Sequence, residues 1–184
     1  MSARSLDALF RPNSVAVVGA SADPAHVGAV VMRNLLGGKF LGPVMPVAPD
    51  LSEIDGVTCY RSVDTLPLTP DLAVICTGPE SVPETLRELG RRGVGAAVAL
   101  PPGYAKLEPA AKRELQQRMI EAAAPSGIRI LGPSGMGLLV PGIGLNCSLA
   151  NRDARPGRMA FISQSASLFT AVLDRSEEHT SELQ

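Results

Sequence analysis

Short runs of apolar residues alternate with longer amphipathic segments along this chain. The first, third and fourth runs are nearly continuous in apolar residues, which is typical of strands that are covered on both faces in a parallel sheet. The predicted strands are Val15 to Val18, Val44 to Val47, Leu72 to Cys76, Ala96 to Leu100 and Ile128 to Leu131.

Three of the intervening segments place mainly apolar side chains on one helical stripe. Ser81 and Glu84 have the spacing of a capping box at the start of the second helix. The connection from Ala48 to Asp71 is rich in proline and predicts an irregular loop with one short turn of helix around Ser62 to Leu66. Repetition of strand, helix and strand predicts a doubly wound α/β sheet with right-handed crossovers. The stripes are Val27, Val30, Val31, Asn34 and Leu35, then Val82, Leu86 and Leu89, then Leu107, Ala111, Leu115 and Met119.

The organisation changes after Leu131. A glycine-rich run ends at Gly144, and residues 151–158 are polar and are predicted to be a linker. A new strand is predicted from Met159 to Ile162, followed by the sequence SQSAS and an apolar helix from Leu168 to Leu173. We therefore predict a first domain over residues 1–150 and the truncated start of a second over residues 159–174.

The last ten residues, Arg175 to Gln184, have the sequence RSEEHTSELQ. Back-translation of this string resembles the ligation adapter of common short-read sequencing libraries. We interpret residues 175–184 as an artefact tail and expect the natural sequence to be interrupted near Asp174.

Composition argues against several classes of partner. The chain has 17 Lys and Arg residues against 18 Asp and Glu residues, and aromatic residues make up only 3%, so neither nucleic acid nor a membrane surface is an expected partner. Cys59, Cys76 and Cys147 have neither CxxC spacing nor a nearby histidine pair, so neither a zinc site nor a disulfide framework is predicted. The chain has no signal peptide and no apolar run long enough to span a bilayer, so we expect a cytoplasmic location.

The candidate ligand site lies beyond the carboxyl ends of the strands, at the point where the strand order of an open parallel sheet reverses. These ends are small or proline-rich turns, and a ligand can approach the backbone of such turns closely. They are Gly19 to Ser21, Pro46 to Asp50, Thr77 to Pro79 and Leu100 to Gly103.

The segment from Gly19 to Gly28 is the candidate phosphate site, because a strand ends at Gly19 and a helix begins near His26. His26 is either a phosphate partner or, as we favour, a solvated surface residue. The glycines lack GxGxxG spacing and Asp50 lies beyond the end of the second strand, so NAD is the lesser alternative. A plain strand–helix turn without a ligand is a further alternative.

Five segments then carry a resemblance to a known family: LFRPNSVAVVGAS, MRNLLGGKFLGPVMPVAPD, TPDLAVICT, RILGPSGMGLLVPGIGLN and GRMAFISQSAS. In this order they resemble the start of nucleoside-diphosphate-forming acyl-CoA synthetases, and more closely the synthetase-like region of bacterial protein lysine acetyltransferases. The resemblance covers Leu6 to Asp174. It implies a Rossmann-like CoA-binding domain and the truncated start of a flavodoxin-like domain similar to that of succinyl-CoA synthetase.

The resemblance also implies a ligand, CoA or acetyl-CoA, and a set of residues that would hold it. The phosphates would lie at Gly19, Ala20, Ser21 and Gly28. The segment from Ser163 to Ser165 would open a helix whose N-terminus faces the phosphohistidine site of the synthetases. The nucleotide and pantetheine path would be lined by Val47, Pro49, Leu100, Pro101 and Pro102, with Thr77 and Gly78 at the neighbouring strand end.

The sequence departs from the synthetase pattern at three positions. Asp50 stands where many synthetases have a lysine that holds a CoA phosphate, and Ser134 replaces the asparagine of a GPN motif. Ala166 replaces the glycine of SQSG, as in the acetyltransferase branch.

The phosphorylated histidine of the synthetases would lie beyond Asp174. We therefore expect this chain to bind CoA without catalysing a reaction, and we expect the parent to be an acyl-CoA ligase or a protein acetyltransferase. The missing domains of that parent are the expected protein partners. An NAD(P)-binding oxidoreductase domain and a ligand-free structural module remain the alternatives.

Overall fold

The computed structural model describes residues 3–181, and the side chains of residues 6–175. Residues 182–184 of the interpreted artefact tail therefore lie outside the described residues. In chain order the helices and strands are α1 (Ala3–Phe10), β1 (Val15–Val18), α2 (Val27–Gly37), β2 (Val44–Val47), β3 (Glu53–Ile54), β4 (Val57–Thr58), β5 (Leu72–Ile75), α3 (Val82–Arg91), β6 (Ala96–Ala99), α4 (Pro109–Ala123), β7 (Arg129–Leu131), β8 (Gly137–Val140), β9 (Leu145–Ser148) and α5 (Ala166–Ser181).

Five of these strands form one parallel sheet in the order β2-β1-β5-β6-β7. Val15 is level with Val44 of β2 on one side and with Leu72 of β5 on the other. All five predicted strands are present, and the predicted doubly wound parallel sheet is confirmed. The strand order reverses between β1 and β5, so the crevice in which such sheets bind ligands opens there, at the carboxyl ends of these two strands.

Both faces of the sheet are buried, as the continuous apolar runs predict. Val15 and Val17 belong to a cluster with α1, α2 and β9, whereas Ala16 and Val18 belong to a cluster with α3 and α4. Each fully buried valine or leucine stabilises the fold by about 1.5–3 kcal/mol relative to an exposed one. This well-buried sheet carries the turns at its carboxyl edge.

The start of α3 differs from the prediction of a capping box. Ser81 has helical backbone angles at the end of a short 3₁₀ turn, and its hydroxyl donates back to the carbonyl of Gly78 at 2.9 Å. Glu84 instead accepts from Arg87 at 2.7 Å. A capping serine needs an extended backbone, and the 3₁₀ turn removes that conformation, so the capping-box prediction is wrong.

The connection between β2 and β5 contains more structure than the sequence indicated. The predicted turn of helix is present as a 3₁₀ turn, Val63–Thr65, but the short hairpin of β3 and β4 was not predicted. Arg92 donates to the carbonyls of Asp64, Leu66 and Leu68 and so holds the end of this connection. At the other end Tyr60 forms a bridge to Val47, which extends the sheet beyond β2.

The glycine-rich run after β7 folds into an antiparallel hairpin of β8 and β9. All four residues of β9 are buried, and its Leu145 and Cys147 pack in the cluster that contains α2. The hairpin closes tightly on the turn after α2, because a Cβ added at Gly38 would lie 2.6 Å from the carbonyl oxygen of Gly144. The hairpin thus packs on the sheet, and its last strand ends two residues before the predicted linker.

The predicted strand from Met159 to Ile162 is wrong, since this segment is irregular. Met159 and Ile162 are 97% and 95% exposed. A strand needs a neighbour that accepts its backbone hydrogen bonds, and no such neighbour is present for this segment among residues 3–181. The predicted helix from Leu168 to Leu173 is confirmed and is longer, because α5 runs on to Ser181 within the interpreted tail.

Within the described part of the chain, every helix is too short or too polar to span a lipid bilayer.

Candidate functional site

The turn after β1 lies at the point where the strand order reverses. The backbone N–H groups of Gly19 and Ala20 both donate to the carbonyl of Val47, at 3.0 and 3.2 Å. Gly19 has a φ of +82°, a conformation that side chains disfavour. The turn is therefore fixed by hydrogen bonds to the end of β2 and by a backbone angle that favours glycine.

Glycine at positions 19 and 28 permits three backbone segments to meet. A Cβ at Gly19 would lie 2.8 Å from Cγ2 of Thr77 and 2.9 Å from the backbone at Cys76. A Cβ at Gly28 would overlap the carbonyl oxygen of Gly19. The first turn of α2 and the ends of β1 and β5 thus come together, and only glycine fits at the two contact points.

The N–H groups at the start of α2 are largely occupied by the protein itself. Nδ1 of His26 accepts from the N–H of Gly28 at 3.0 Å, and the carbonyl of His26 accepts from Ala29 and Val30. His26 is half-buried and caps the helix, a role that neither sequence interpretation included. Gly28 therefore serves close packing rather than offering a free donor to a ligand.

In the loop that precedes α2, some backbone N–H groups are bound within the protein and others are free. Oγ of Ser21 accepts from the N–H of Asp23 at 3.1 Å, and the Asp23 carboxylate accepts from Ala25 at 3.0 Å. Among the described residues nothing accepts from the N–H groups of Ser21 and Ala22. These two amides, just beyond the carboxyl end of β1, are the donors open to an anion.

Thr77 and Gly78 form the other side of the crevice. Oγ1 of Thr77 is buried and has no hydrogen-bond partner among the described residues, which is unusual for a buried hydroxyl. A Cβ added at Gly78 would meet nothing within 4 Å, so the space over this residue is open. A polar group without a partner beside an open space at the reversal point is the strongest structural indication of a ligand in the described residues.

The remaining residues predicted from the resemblance divide into two groups. Pro49 is exposed and Pro102 is half-buried, so both have surface that a ligand could contact. Val47, Leu100 and Pro101 are buried beneath the surface of this edge. For these three, contact with a ligand is confined to the small part of each residue that reaches the surface.

A cavity of about 90 Å³ lies beside the carboxyl ends of β6 and β7. Its other wall is the start of α5, where Oγ of Ser163 accepts from the N–H of Ser165 and Oγ of Ser165 accepts from Leu168. The predicted helix start at Ser163 to Ser165 is thus present. Met136 and Phe169 also line this cavity, and their apolar character gave no signal in the sequence that distinguished them from core residues.

All three cysteine thiols have a raised pKa, which makes them poor nucleophiles. Burial raises the pKa of the Cys76 thiol to about 12, and it also raises the pKa of Cys147, with nearby Cys76 as a second cause. Burial, and then the charge of Glu53, raises the pKa of Cys59. Across the described residues no group of three or more His, Cys, Asp and Glu side chains is arranged to bind a metal ion.

The fold and this edge define a doubly wound α/β domain of the nucleotide-binding type. Residues 13–141 match the family model described as a CoA binding domain, and the chain belongs to this family. CoA or acetyl-CoA is therefore the ligand of the domain.

Similar proteins place the domain in a wider group. The chain is 37% identical over 173 residues to the alpha subunit of the ADP-forming acetate–CoA ligase I of Pyrococcus furiosus, a match that covers 92% of this chain and 37% of the relative. A solved structure from Pyrococcus horikoshii is 35% identical with a TM-score of 0.87, over 95% of this chain and 40% of that one.

The dinucleotide-forming acetyl-coenzyme A synthetase 1 of Candidatus Korarchaeum cryptofilum, solved with phosphate and ADP, is 36% identical with a TM-score of 0.85, over 94% of this chain and 37% of that one. The chain thus spans well under half the length of these relatives. It is a CoA-binding domain like the N-terminal one in the alpha subunits of nucleoside-diphosphate-forming acyl-CoA synthetases.

Proposed function

We propose that CoA binds across the carboxyl edge with its phosphates at the turn from Gly19 to Ala22 and its pantetheine chain passing Gly78 toward Pro102. The observation that carries this proposal is the crevice between β1 and β5, where Thr77 Oγ1 has no partner and the space over Gly78 is open. The free N–H groups of Ser21 and Ala22 supply donors for a phosphate, a function that backbone amides beside a helix start commonly serve.

Of the residues that the resemblance places at the phosphates, only Ser21 is among the proposed donors. Gly19 and Ala20 use their N–H groups on Val47, and Gly28 uses its N–H on His26, so these residues shape the site without donating to the ligand. Asp50 is exposed and brings a negative charge in place of the lysine of many synthetases. We therefore expect weaker CoA binding than in a relative with that lysine, because the charge opposes the phosphates.

A titration of the unmodified protein with CoA, acetyl-CoA and NAD, followed by calorimetry, tests the proposal. Binding of CoA and acetyl-CoA without binding of NAD is the expected result. NAD binding alone would favour the oxidoreductase alternative, and no binding of any of the three would favour a structural module.

Two glycine variants then locate the site. Gly78→Val adds a side chain where the fold leaves open space, so the fold should tolerate it, but the side chain would obstruct the pantetheine path. Gly142→Val at the tip of the β8–β9 hairpin is the matched control, because a Cβ there also meets nothing within 4 Å. We expect at least about a tenfold loss of CoA affinity for Gly78→Val, equivalent to about 1.4 kcal/mol, and none for Gly142→Val. Equal affinity of the two variants would move the site elsewhere.

For the longer parent protein we propose an acyl-CoA ligase that forms a nucleoside diphosphate, with this domain as its CoA site. The matched relatives are described as ADP-forming ligases, and they extend well beyond this chain. Ala166 at the start of α5, which replaces the glycine of SQSG, favours the acetyltransferase branch instead. The full-length product, assayed for ATP formation from acetyl-CoA, ADP and phosphate and for acetylation of a lysine substrate, distinguishes the two.

The domain boundaries belong to this proposal as well. We place the CoA-binding domain at residues 1–150, the linker at residues 151–158, the start of the second domain at residues 159–174 and the artefact tail at residues 175–184. Resequencing the gene past Asp174 tests the last boundary directly. The chain alone should form no acyl-CoA from ATP, acetate and CoA, and a cytoplasmic location remains a prediction.

A further inference from the structure

Two polar side chains of β9, Asn146 and Ser148, are buried, with 2% and 0% exposure, and they alternate along the strand with the apolar core residues Leu145 and Cys147. Oδ1 of Asn146 accepts from Oγ of Ser148 at 2.6 Å and from its N–H at 3.2 Å. Buried polar side chains cost stability unless they are hydrogen-bonded, and in some proteins such groups are retained because they select one geometry.

Their hydrogen bonds are directed at the segment that leaves the first domain. Nδ2 of Asn146 donates to Oδ1 of Asp153 at 2.6 Å. The N–H of Ala150 donates to Oγ of Ser148 at 3.1 Å. Beyond the last ladder pair of the hairpin, the N–H of Leu149 still donates to the carbonyl of Met136 at 2.8 Å. From Ala150 to Asp153, which we call the exit, side chains rather than a strand partner hold the segment in place.

A third side chain joins the exit to α2. Nδ2 of Asn34 donates both of its hydrogens, one to the carbonyl of Ser148 and one to the carbonyl of Ala150, each at 2.9 Å. Asn34 is half-buried and interrupts the apolar stripe of α2. Its amide is therefore explained by the two carbonyls that it holds.

The exit leads to the start of α5. Nε of Arg152 lies 3.9 Å from Oδ1 of Asp174, so the linker also contacts this helix. At the beginning of α5, Ser163 and Gln164 form one wall of the cavity whose other wall is the carboxyl end of β6 and β7.

We propose that Asn34, Asn146, Ser148 and Asp153, which we name the exit clamp, are positioning residues for the second domain. They hold the linker in one direction as it leaves β9, so that the start of α5 remains against the carboxyl edge of the sheet. The clamp acts at the opposite end of α2 from the Gly19 turn, and it does not depend on the proposed CoA site.

Cross-linking of two introduced cysteines measures this positioning. Ser134→Cys and Gln164→Cys place one thiol on each wall of the cavity, in a background in which the half-buried Cys59 is changed to serine. The initial rate of cross-linking by a short bismaleimide, followed by peptide mass spectrometry, reports how often the two walls are together. The measurement is made on the full chain without CoA.

Asn34→Asp is the principal variant, because it keeps the size of the side chain but replaces the donor by an oxygen that repels both carbonyls. Loss of two hydrogen bonds should lower the cross-linking rate about tenfold. Asp153→Ala removes the bond from Asn146 at an exposed position and should lower the rate several-fold. Asn151→Ala is the control, since Asn151 is an exposed linker asparagine for which the described residues provide no hydrogen-bond partner, and its rate should be unchanged.

Circular dichroism and CoA titration of each variant separate positioning from folding. A variant with unchanged melting temperature and CoA affinity but a reduced cross-linking rate supports the exit clamp. If Asn34→Asp unfolds the protein, Asp153→Ala decides the matter, because its side chain is exposed. Unchanged cross-linking in the folded variants overturns the proposal. Failure of the unmodified protein to bind CoA would instead contradict the proposed function and leave the cross-linking comparison intact.

Discussion

The sheet domain and the segment after Ala150 contain the same kinds of apolar side chain in very different surroundings. Val15, Val17 and Leu72 are fully buried, whereas Met159 and Ile162 are almost fully exposed. Among the described side chains after Ala150, Leu173 alone is buried. The difference lies in the packing partners. Each strand of the sheet has covering helices and at least one neighbouring strand, whereas residues 159–162 have neither within the part of the chain that the structure describes.

The comparison also separates two sources of order. In the sheet domain burial fixes the structure, and hydrogen bonds are satisfied within ladders. At the exit, a few side-chain hydrogen bonds, chiefly those of Asn34 and Asn146, hold the backbone in place instead of burial. An apolar pattern therefore predicts a structure only where the rest of the chain provides something to cover it.

Truncation of a core side chain should cause the largest loss of stability. Leu86→Ala removes a fully buried side chain of α3 and should lower the free energy of unfolding by about 4 kcal/mol, whereas Ile162→Ala should change it by less than about 0.5 kcal/mol. Urea denaturation followed by circular dichroism measures both. A cost for Ile162→Ala close to that of Leu86→Ala would contradict the comparison and would mean that the segment is covered in solution.

The second-largest loss of stability is expected for a substitution at Gly19, with Gly157 as the control position. Gly19→Val combines a positive φ with a close contact to Thr77, and we expect a loss of about 3 kcal/mol together with loss of CoA binding. Gly157→Val, in the exposed linker, should be tolerated within about 0.5 kcal/mol. The prediction is wrong if the Gly19→Val protein binds CoA as tightly as the unmodified chain.

High pH should weaken the sheet domain through its buried thiols. The pKa of Cys76 is raised from 9.0 to about 12 by burial, so at intermediate pH the unfolded chain has lost a proton that the folded chain retains. The unfolded state then binds fewer protons, and stability falls as pH rises above 9.0, by about 1.4 kcal/mol per pH unit for this thiol. Urea midpoints between about pH 9.5 and about pH 10.5 should show a shallower slope for Cys76→Ala. An identical slope would contradict the assignment to this residue.

Removal of Arg175 to Gln184 should have the smallest effect. The segment has one aliphatic side chain, Leu183, so it has little surface to bury in exchange for ordering. We expect the melting temperature to change by less than about 1 °C, while the helical signal falls because α5 extends to Ser181. A clear drop in melting temperature would make the tail a structural element of the protein.

The sheet could be predicted from sequence because its strands are short, fully apolar runs. Such runs are typical of parallel strands that are buried on both faces. The β8–β9 hairpin could not, since the glycines that permit its contact with Gly38 look the same in sequence as those of a loop. The capping box at Ser81 had the right spacing, but the 3₁₀ turn before α3 competes for the same hydroxyl.

The candidate site could be predicted by location but not by role. Gly19 and Thr77 were found because strand ends meet at one edge of a parallel sheet. That Gly28 packs on Gly19 and that His26 caps α2 depends on distances that spacing alone does not give. The exit clamp was missed because Asn34 has the spacing of a residue in an apolar stripe.

The positions of the two tyrosines have an optical consequence. The chain has no tryptophan, so its intrinsic fluorescence comes from Tyr60 and Tyr104. Tyr60 bridges to Val47 at the end of β2, and Tyr104 follows the turn from Leu100 to Gly103 at the end of β6. Both chromophores therefore lie beside the edge at which CoA is proposed to bind. Emission from the unlabelled protein should report directly on the occupancy of that edge.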